Sequence, residues 1–152
     1  MSRQLVIFEI NGEEFGIEIT KVQEIIKLVE IYKIPSAPPY VEGLINLRNK
    51  IFAVFNLRKK FKLGTYEHSE DTKIIMVSVK DIVVGFMVDK VNEILRVEDE
   101  NTEFLPKFVT NINEKFIKGA AKVRRGIVLL IDLESLITDE DIENLNSISK
   151  NI

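Results

Sequence analysis

The sequence predicts an all-β protein in which two small, repeated β-barrels pack together. Three observations support this fold class. The 152 residues include 22 Ile and 15 Val against 13 Leu and 4 Ala, and such an excess of β-branched side chains favours strands. Short apolar runs alternate with turn residues along the chain. Two sequence blocks recur in the same order about 70 residues apart, which indicates an internal duplication.

The duplication can be followed residue by residue. The segment 15–25 aligns with 84–94, and the segment 43–57 aligns with 119–133. The aligned pairs in the second block are Gly43 with Gly119, Arg48 with Arg124, Ile51 with Ile127, and Asn56 with Asp132. Because half of this chain is too short to bury much core by itself, we expect the two barrels to share one.

Each copy begins with a predicted hairpin. The strands of the first hairpin are 5–10 and 15–19, and those of the second are 74–79 and 83–88. Apolar residues alternate along these runs, and turn residues such as Asn11-Gly12-Glu13 separate the first pair. After each hairpin we expect a single helical turn, because Thr20 and Asp89 are good N-cap residues and Gln23 stands three residues after Thr20.

The remaining strands complete a set of five in each copy. A third strand is predicted at 25–31 and at 94–97. The last two strands flank a tight basic turn, at 44–47 and 51–55 in the first copy. The second copy repeats this arrangement at 120–123 and 127–131. Many short strands joined by long internal connections favour two small barrels over one open sheet.

The tail is predicted to be a helix over 139–149. Thr138 can cap it, and the acidic residues 139–141 suit the positive N-terminal end of a helix dipole. Ile142, Leu145 and Ile148 recur at three-residue spacing, which gives the helix a single apolar stripe.

Composition narrows the classes of function. Cysteine is absent and His68 is the single histidine, so we expect no catalytic triad, no metal centre, no cofactor and no enzymatic activity. The net charge is −3, although the run 58–62 is strongly basic, and a nucleic-acid-binding barrel is therefore kept as an alternative. Without a leader peptide or an apolar stretch of about 18 residues, we expect a cytoplasmic protein that does not insert directly into a membrane.

Several short motifs are distinctive. They are Glu-Phe-Gly-Ile at 14–17, Lys-Val-Gln-Glu-Ile at 21–25, Val-Glu-Gly-Leu-Ile-Asn-Leu-Arg at 41–48 and, in the second half, Val-Val-Gly-Phe at 83–86 and Val-Asp-Lys-Val at 88–91. The motif at 41–48, followed by a strand and Asn56-Leu57, is the most specific. Together these motifs resemble those of the CheW-like family, the coupling proteins of bacterial chemotaxis. The resemblance covers about residues 5–136. Two positions depart from the family pattern: Asn49 stands where Gly is usual and Ala53 where Pro is usual.

The resemblance implies two five-stranded SH3-like barrels within a single CheW-like domain, 1–152. We expect the first subdomain at about 14–70 with part of the N-terminal strand, and the second at about 71–137. The implied function is that of an adaptor. It would link the cytoplasmic tips of methyl-accepting chemotaxis receptors to the regulatory domain of the histidine kinase CheA, and would join membrane receptor arrays only through these partners, without binding nucleic acid.

The resemblance also implies a set of receptor-binding or kinase-binding residues: Val22, Glu24, Ile25, Gly43, Arg48 and Val88. For three of them a purely structural role stays open. Ile25 suits a core anchor as well as a surface residue. Gly43 suits a backbone requirement, either a positive φ or a close strand approach. Arg48 recurs as Arg124, which is typical of a structural role in a turn that both barrels share. Its planar guanidinium is equally suited to bind a carboxylate of a partner protein.

Overall fold

A computed structural model describes residues 1–64, 68–103 and 116–150, except for the side chains of 146–150. Ten of the eleven strands in these ranges were predicted, and the short β9 is new. The elements are β1 (Ser2–Ile10), β2 (Glu13–Glu18), a 3-10 turn (Ile19–Lys21), β3 (Val22–Lys27), β4 (Val41–Leu47), β5 (Lys50–Asn56), α1 (Leu57–Lys60), β6 (Lys73–Val79), β7 (Ile82–Val88), β8 (Lys90–Glu98), a second 3-10 turn (Asp99–Asn101), β9 (Thr102–Glu103), β10 (Ile117–Val123), β11 (Gly126–Ile131), α2 (Leu133–Leu136) and α3 (Asp139–Lys150).

The strands form two sheets that curl into the two SH3-like barrels expected. One sheet has the order β8-β1-β2-β11-β10-β9, and the other has the order β3-β6-β7-β5-β4. Each sheet therefore combines a hairpin from one copy with strands from the other copy. The two sheets do not coincide with the expected subdomains 14–70 and 71–137. The mismatch arises because the chain changes sheets within each copy and not between the copies. It passes from the first sheet to the second through the turn Ile19–Lys21 after β2, and it returns through Asp89 after β7.

The main hydrophobic core lies between the two sheets. Phe8 and Phe15 of the first sheet and Phe55 and Phe86 of the second are fully buried in the same cluster. Two smaller clusters fill the barrels themselves, one around Leu130 in the first sheet and one within the second. The shared core explains how two small barrels remain folded, because each covers an apolar face of the other.

The predicted helical turns are placed differently by the structure. Thr20 lies inside the first 3-10 turn, whose N-cap is Glu18 and which has no side-chain cap. The prediction of Thr20 as a cap was wrong, and so was that of Asp89, because β8 begins at the next residue. Residues after the first turn pair with β6, and this cross-strand pairing overrides the local capping signal.

Besides the 3-10 turn at Ile19–Lys21, a short α-helical turn follows the last strand of each copy. Asn56 caps α1 by accepting a hydrogen bond from the Lys59 N–H at 3.1 Å, and Asp132 caps α2 by accepting from the Glu134 N–H at 3.1 Å. These two caps are an aligned pair in the repeat. The duplication therefore extends to the start of a helix that the apolar pattern did not reveal.

The N-terminal end of α3 is fastened to the second barrel by a buried polar cluster, here called the clasp: Tyr40, Lys60, Thr138 and Asp141. As predicted, Thr138 is the cap, since its Oγ1 accepts from the Asp141 N–H at 3.0 Å while the Asp141 carboxylate accepts from the Thr138 N–H at 3.0 Å. The Tyr40 hydroxyl donates to the same carboxylate at 2.7 Å, and Lys60 Nζ lies 3.6 Å from it. Ile142 and Leu145 of the predicted stripe pack on the main core, whereas the side chain of Ile148 is outside the described part.

The contacts of the clasp predict that the Tyr40 hydroxyl loses its proton only at an unusually high pH. Burial, together with the hydrogen bond to Asp141, raises the pKa of Tyr40 from 10 to about 12. Because the pKa is raised in the folded state, the stability that the neutral phenol contributes is lost as pH rises from about 10 to 12. The difference between the 295 nm absorbance titrations of the unaltered protein and Tyr40→Phe should have a midpoint near pH 12. A midpoint near pH 10 would contradict the buried hydrogen bond.

Candidate functional site

Glu24 and Arg48 form an ion pair across the second barrel. Glu24 lies on β3 and Arg48 in the turn between β4 and β5, and the two strands are opposite edges of the same sheet. The curl of the barrel brings them together, so that Arg48 Nη1 donates to Glu24 Oε2 at 3.3 Å and Nη2 contacts Oε1. The hydrogen bond from Arg48 lowers the pKa of Glu24. The paired side chains are therefore both charged at neutral pH.

Turn geometry places Arg48 at the surface. Both Arg48 and Asn49 have positive φ, 51° and 65°, as a type I′ hairpin turn requires. Asparagine is among the residues that best tolerate this conformation, which explains why the turn survives without the glycine usual in the family. The Arg48 side chain is 70% exposed. Its guanidinium can thus meet a partner while one face remains bonded to Glu24.

Val22 and Ile25 lie on the same strand as Glu24 but differ in burial. Val22 is half-buried and packs against the main core. Ile25 is 37% exposed, although its cross-strand neighbour Ile75 is fully buried. Ile25 is therefore a surface residue rather than a core anchor. Successive side chains of a strand face opposite sides, so Ile25 shares the face of Ile75 whereas Glu24 shares the face of Met76.

Gly43 has a positive φ and also lies very close to another segment of backbone. Its φ is +149°, a value that side-chain-bearing residues rarely adopt, and an added Cβ would lie 2.2 Å from the Tyr32 carbonyl oxygen. Tyr32 reaches this close because it exchanges two backbone hydrogen bonds with Leu44, both of 2.8 Å. The glycine thus shapes the β4 edge of the barrel and offers no side chain to a partner.

Val88 does not lie at the surface. It is 2% exposed and belongs to the main core. A contact with a partner through its side chain would require the two sheets to separate. The structure thus joins Glu24 and Arg48 in one pair and places Ile25 on the other face of the same edge strand, with Val22 half-buried against the main core. Gly43 contributes backbone geometry only, and Val88 is buried.

An equivalent set of residues in the first barrel was missed. Glu93 aligns with Glu24 in the repeat, and it contacts Nη1 of Arg125. Arg125 also donates to Glu14 through Nε and Nη2, both at 2.7 Å, and this hydrogen bonding lowers the pKa of Glu14. The repeat alignment held the signal, but it pointed to Arg124, one residue before the arginine that makes the pair.

Exposed isoleucines accompany both charged pairs. The exposed fractions are 52% for Ile94 and 64% for Ile127, which are the aligned mates of Ile25 and Ile51. Ile51 itself is 48% exposed. Large apolar side chains that are left exposed at equivalent places of a repeat are typical of protein-binding surfaces.

The basic run after β5 is engaged within the protein. Arg58 Nη1 lies 2.7 Å from Asp89, and Lys59 Nζ lies 2.8 Å from Glu42. The next residue, Lys60, belongs to the clasp. Each of these three cations therefore has an acidic neighbour on a different element, and phosphate groups would have to compete with those neighbours. This arrangement disfavours the nucleic-acid alternative.

The described residues suggest neither metal chemistry nor a membrane span. Nowhere in them do three His, Asp or Glu side chains lie where they could share a metal ion. None of the described helices is long and apolar enough to cross a membrane.

Comparison with known proteins identifies the family to which the chain belongs. Residues 4–141 match the model of the CheW-like domain. The chain is 31% identical to the chemotaxis protein CheW of Treponema pallidum, over 93% of this chain and 86% of that protein. It is also 31% identical to the chemotaxis protein CheW of Bacillus subtilis, over 90% of this chain and 88% of that protein.

A solved structure gives the same result. The crystal structure of the scaffolding protein TtCheW from Thermoanaerobacter tengcongensis superposes with a TM-score of 0.86 at 35% identity. The match covers 93% of this chain and 96% of the scaffolding protein. The motifs at 14–17, 21–25 and 41–48 lie within the matched segment. The chain therefore belongs to the CheW-like family of chemotaxis proteins.

Proposed function

We propose that this protein is a non-enzymatic adaptor that links the cytoplasmic tips of chemoreceptors to the regulatory domain of the histidine kinase CheA. The observation that supports this most is the exposed edge strand β3, which carries Ile25 on one face and the Glu24–Arg48 pair on the other, on a chain of a family that includes a scaffolding protein. An adaptor needs surfaces for two partners on one rigid body. The core between the sheets supplies that rigidity.

The receptor surface is proposed at β3. Recognition of a helical hairpin requires an apolar strip with a few charges to set its register. Val22 and Ile25 supply the apolar groups, and Glu24 with Arg48 supplies the charges. A receptor carboxylate could share the exposed face of the Arg48 guanidinium, which suits planar, bidentate contacts.

The kinase surfaces are proposed at the exposed apolar ends of the barrels. Ile51 and Ile127 protrude beside the turns that join β4 to β5 and β10 to β11, and they are 48% and 64% exposed. Ile51 follows Arg48 by only three residues, so this end adjoins the receptor surface. Ile127 lies on β11 in the other sheet, and a kinase contact at that end leaves the β3 surface to the receptor, so both partners can be held at once. The adaptor would work in the cytoplasm, at receptor arrays, by binding its partners differently in different signalling states.

The experiment is to measure binding of the purified protein to a receptor cytoplasmic fragment and to the regulatory domain of CheA. Charge reversal in Glu24→Lys is expected to weaken at least one binding reaction about tenfold or more, because the new lysine repels Arg48 and moves its guanidinium away from the position that the partner contacts. The circular dichroism spectrum and the melting temperature should not change, since exposed ion pairs contribute little to stability.

Two further variants separate the ion pair from the partner contact. The swap Glu24→Arg with Arg48→Glu restores a pair of opposite polarity; if it also restores binding, the pair acts only within the barrel. Lys62→Glu, an exposed charge reversal beyond α1, is the matched control for Arg48→Glu and should bind normally. If the unaltered protein binds neither cognate partner at low or moderate salt, the adaptor function is refuted.

A further inference from the structure

A cavity of about 290 Å³ lies between α3 and the proline-rich loop that precedes β4. Three parts of the fold supply its walls, which are mostly apolar: the loop 34–38, the barrel residues Val41 and Phe55, and Asp141, Asn144 and Leu145 of α3. None of the proposed adaptor contacts lies in these walls. The cavity is therefore separate from the partner surfaces.

The walls of the cavity are held in place before any ligand arrives. Pro35 and Pro38 restrict the loop backbone, and the Val41 N–H donates to the Pro38 carbonyl at 2.9 Å. Phe55 is fully buried, with its ring centroid 5.7 Å from that of Tyr40. On the opposite side, the clasp fixes the N-terminal end of α3. A pre-formed site of this kind loses little conformational entropy when it binds a ligand.

The chemistry of the walls selects a neutral ligand. The Asp141 carboxylate already accepts from the Tyr40 hydroxyl and the Thr138 N–H, and Lys60 balances its charge. The cavity thus offers no uncompensated charge to an ion. Ser36 and Asn144 are exposed at the rim and can bond one polar substituent.

The volume sets the size of the ligand. An apolar cavity of about 150 Å³ is large enough to hold benzene. This cavity is about twice as large, which is room for a fused bicyclic ring. Proline rings and Leu145 offer flat or apolar faces to such a ring.

We propose that the cavity beneath α3 binds a small neutral aromatic molecule of about the size of indole. The ring lies between the proline loop and Leu145, and its polar atom faces Ser36 and Asn144 at the rim. This site does not depend on the adaptor function, because neither partner contributes to it.

The test is a titration of the full, isotope-labelled chain with indole, followed by NMR in the absence of partners. We expect saturable shifts at the lining residues, with a Kd at or below about 1 mM. Ala37→Phe places a ring in the cavity and should weaken binding at least tenfold. Ala37→Ser, which leaves the space open, should bind within about twofold of the unaltered protein.

Asn144→Trp provides a second test, because this exposed helix position tolerates a large residue even if Ala37→Phe does not fold. A tryptophan there covers the mouth of the cavity and should also weaken binding at least tenfold. The proposal is overturned if indole shows no saturable shifts at the lining residues. It is overturned equally if folded Ala37→Phe or Asn144→Trp binds indole as the unaltered protein does.

Discussion

Replacing Gly43 with alanine is expected to lower the free energy of unfolding by about 3 kcal/mol or more. Two costs add in this variant. The backbone must keep a φ of +149° with a side chain, and the new Cβ would lie 2.2 Å from the Tyr32 carbonyl oxygen. That oxygen is fixed by its hydrogen bond from the Leu44 N–H, so the clash is relieved only by opening the edge of the barrel. Urea denaturation of the two proteins measures the difference.

Gly126 supplies a closely matched control. Its φ is +146°, yet nothing lies within 4 Å of an added Cβ. Gly126→Ala should therefore carry only the backbone cost, about 1 kcal/mol. The difference between the two variants isolates the steric contact with Tyr32. Equal losses of stability in Gly43→Ala and Gly126→Ala would show that the close approach is unimportant.

Replacing Lys60 with methionine is expected to cost about 3 kcal/mol of stability, because it leaves the Asp141 charge buried without its cation. The side chains are 7% and 4% exposed and 3.6 Å apart. Methionine keeps the apolar stem, so the loss reports the charge. Adding Asp141→Asn to this variant should recover part of the loss, since it removes the charge and the amide oxygen can still accept from Tyr40, while the hydrogen bond from the Thr138 N–H is given up. No recovery would argue against an uncompensated charge.

The same variant has a defined pH dependence. Burial alone would raise the pKa of Asp141, but hydrogen bonds from Tyr40 and Thr138 and the charge of Lys60 outweigh it and lower the pKa below the ordinary 3.8. Stability from this carboxylate is therefore present above about pH 4 and is lost as pH falls through the lowered value. The stability gap between the unaltered protein and Lys60→Met should close over that acidic range.

Local patterns were enough to predict most of the fold. Alternating apolar residues and turns such as Asn11-Gly12 mark strands wherever they occur, and ten strands were found on this basis. The capping signal at Thr20 misled because it is equally local, whereas the structure there is set by pairing with β6. Which sheet a strand joins depends on the path of very short connections, and no residue pattern encodes that path.

The candidate site was predicted residue by residue but not as an arrangement. Glu24 and Arg48 were chosen separately, and their pairing depends on the curl of a barrel that brings two edge strands together. Val88 was chosen from a motif that does not indicate which face of β7 is buried. The Glu93–Arg125 pair of the first barrel was not predicted, because the repeat aligns Arg48 with Arg124 and not with Arg125.

The exchange of hairpins between the two sheets also constrains the order in which the chain can fold. β1 and β2 precede the other described strands along the chain, yet their sheet is completed only by β8, β10 and β11, which follow all the strands of the other sheet. A fragment that contained only one copy would form an incomplete barrel. Its apolar edge strands would be unpaired, because their partner strands lie on the other fragment. Such separation of pairing partners along the chain slows folding, because distant segments must meet before either sheet is closed. The two barrels are thus one folding unit, in which neither copy of the repeat can complete its fold before the other.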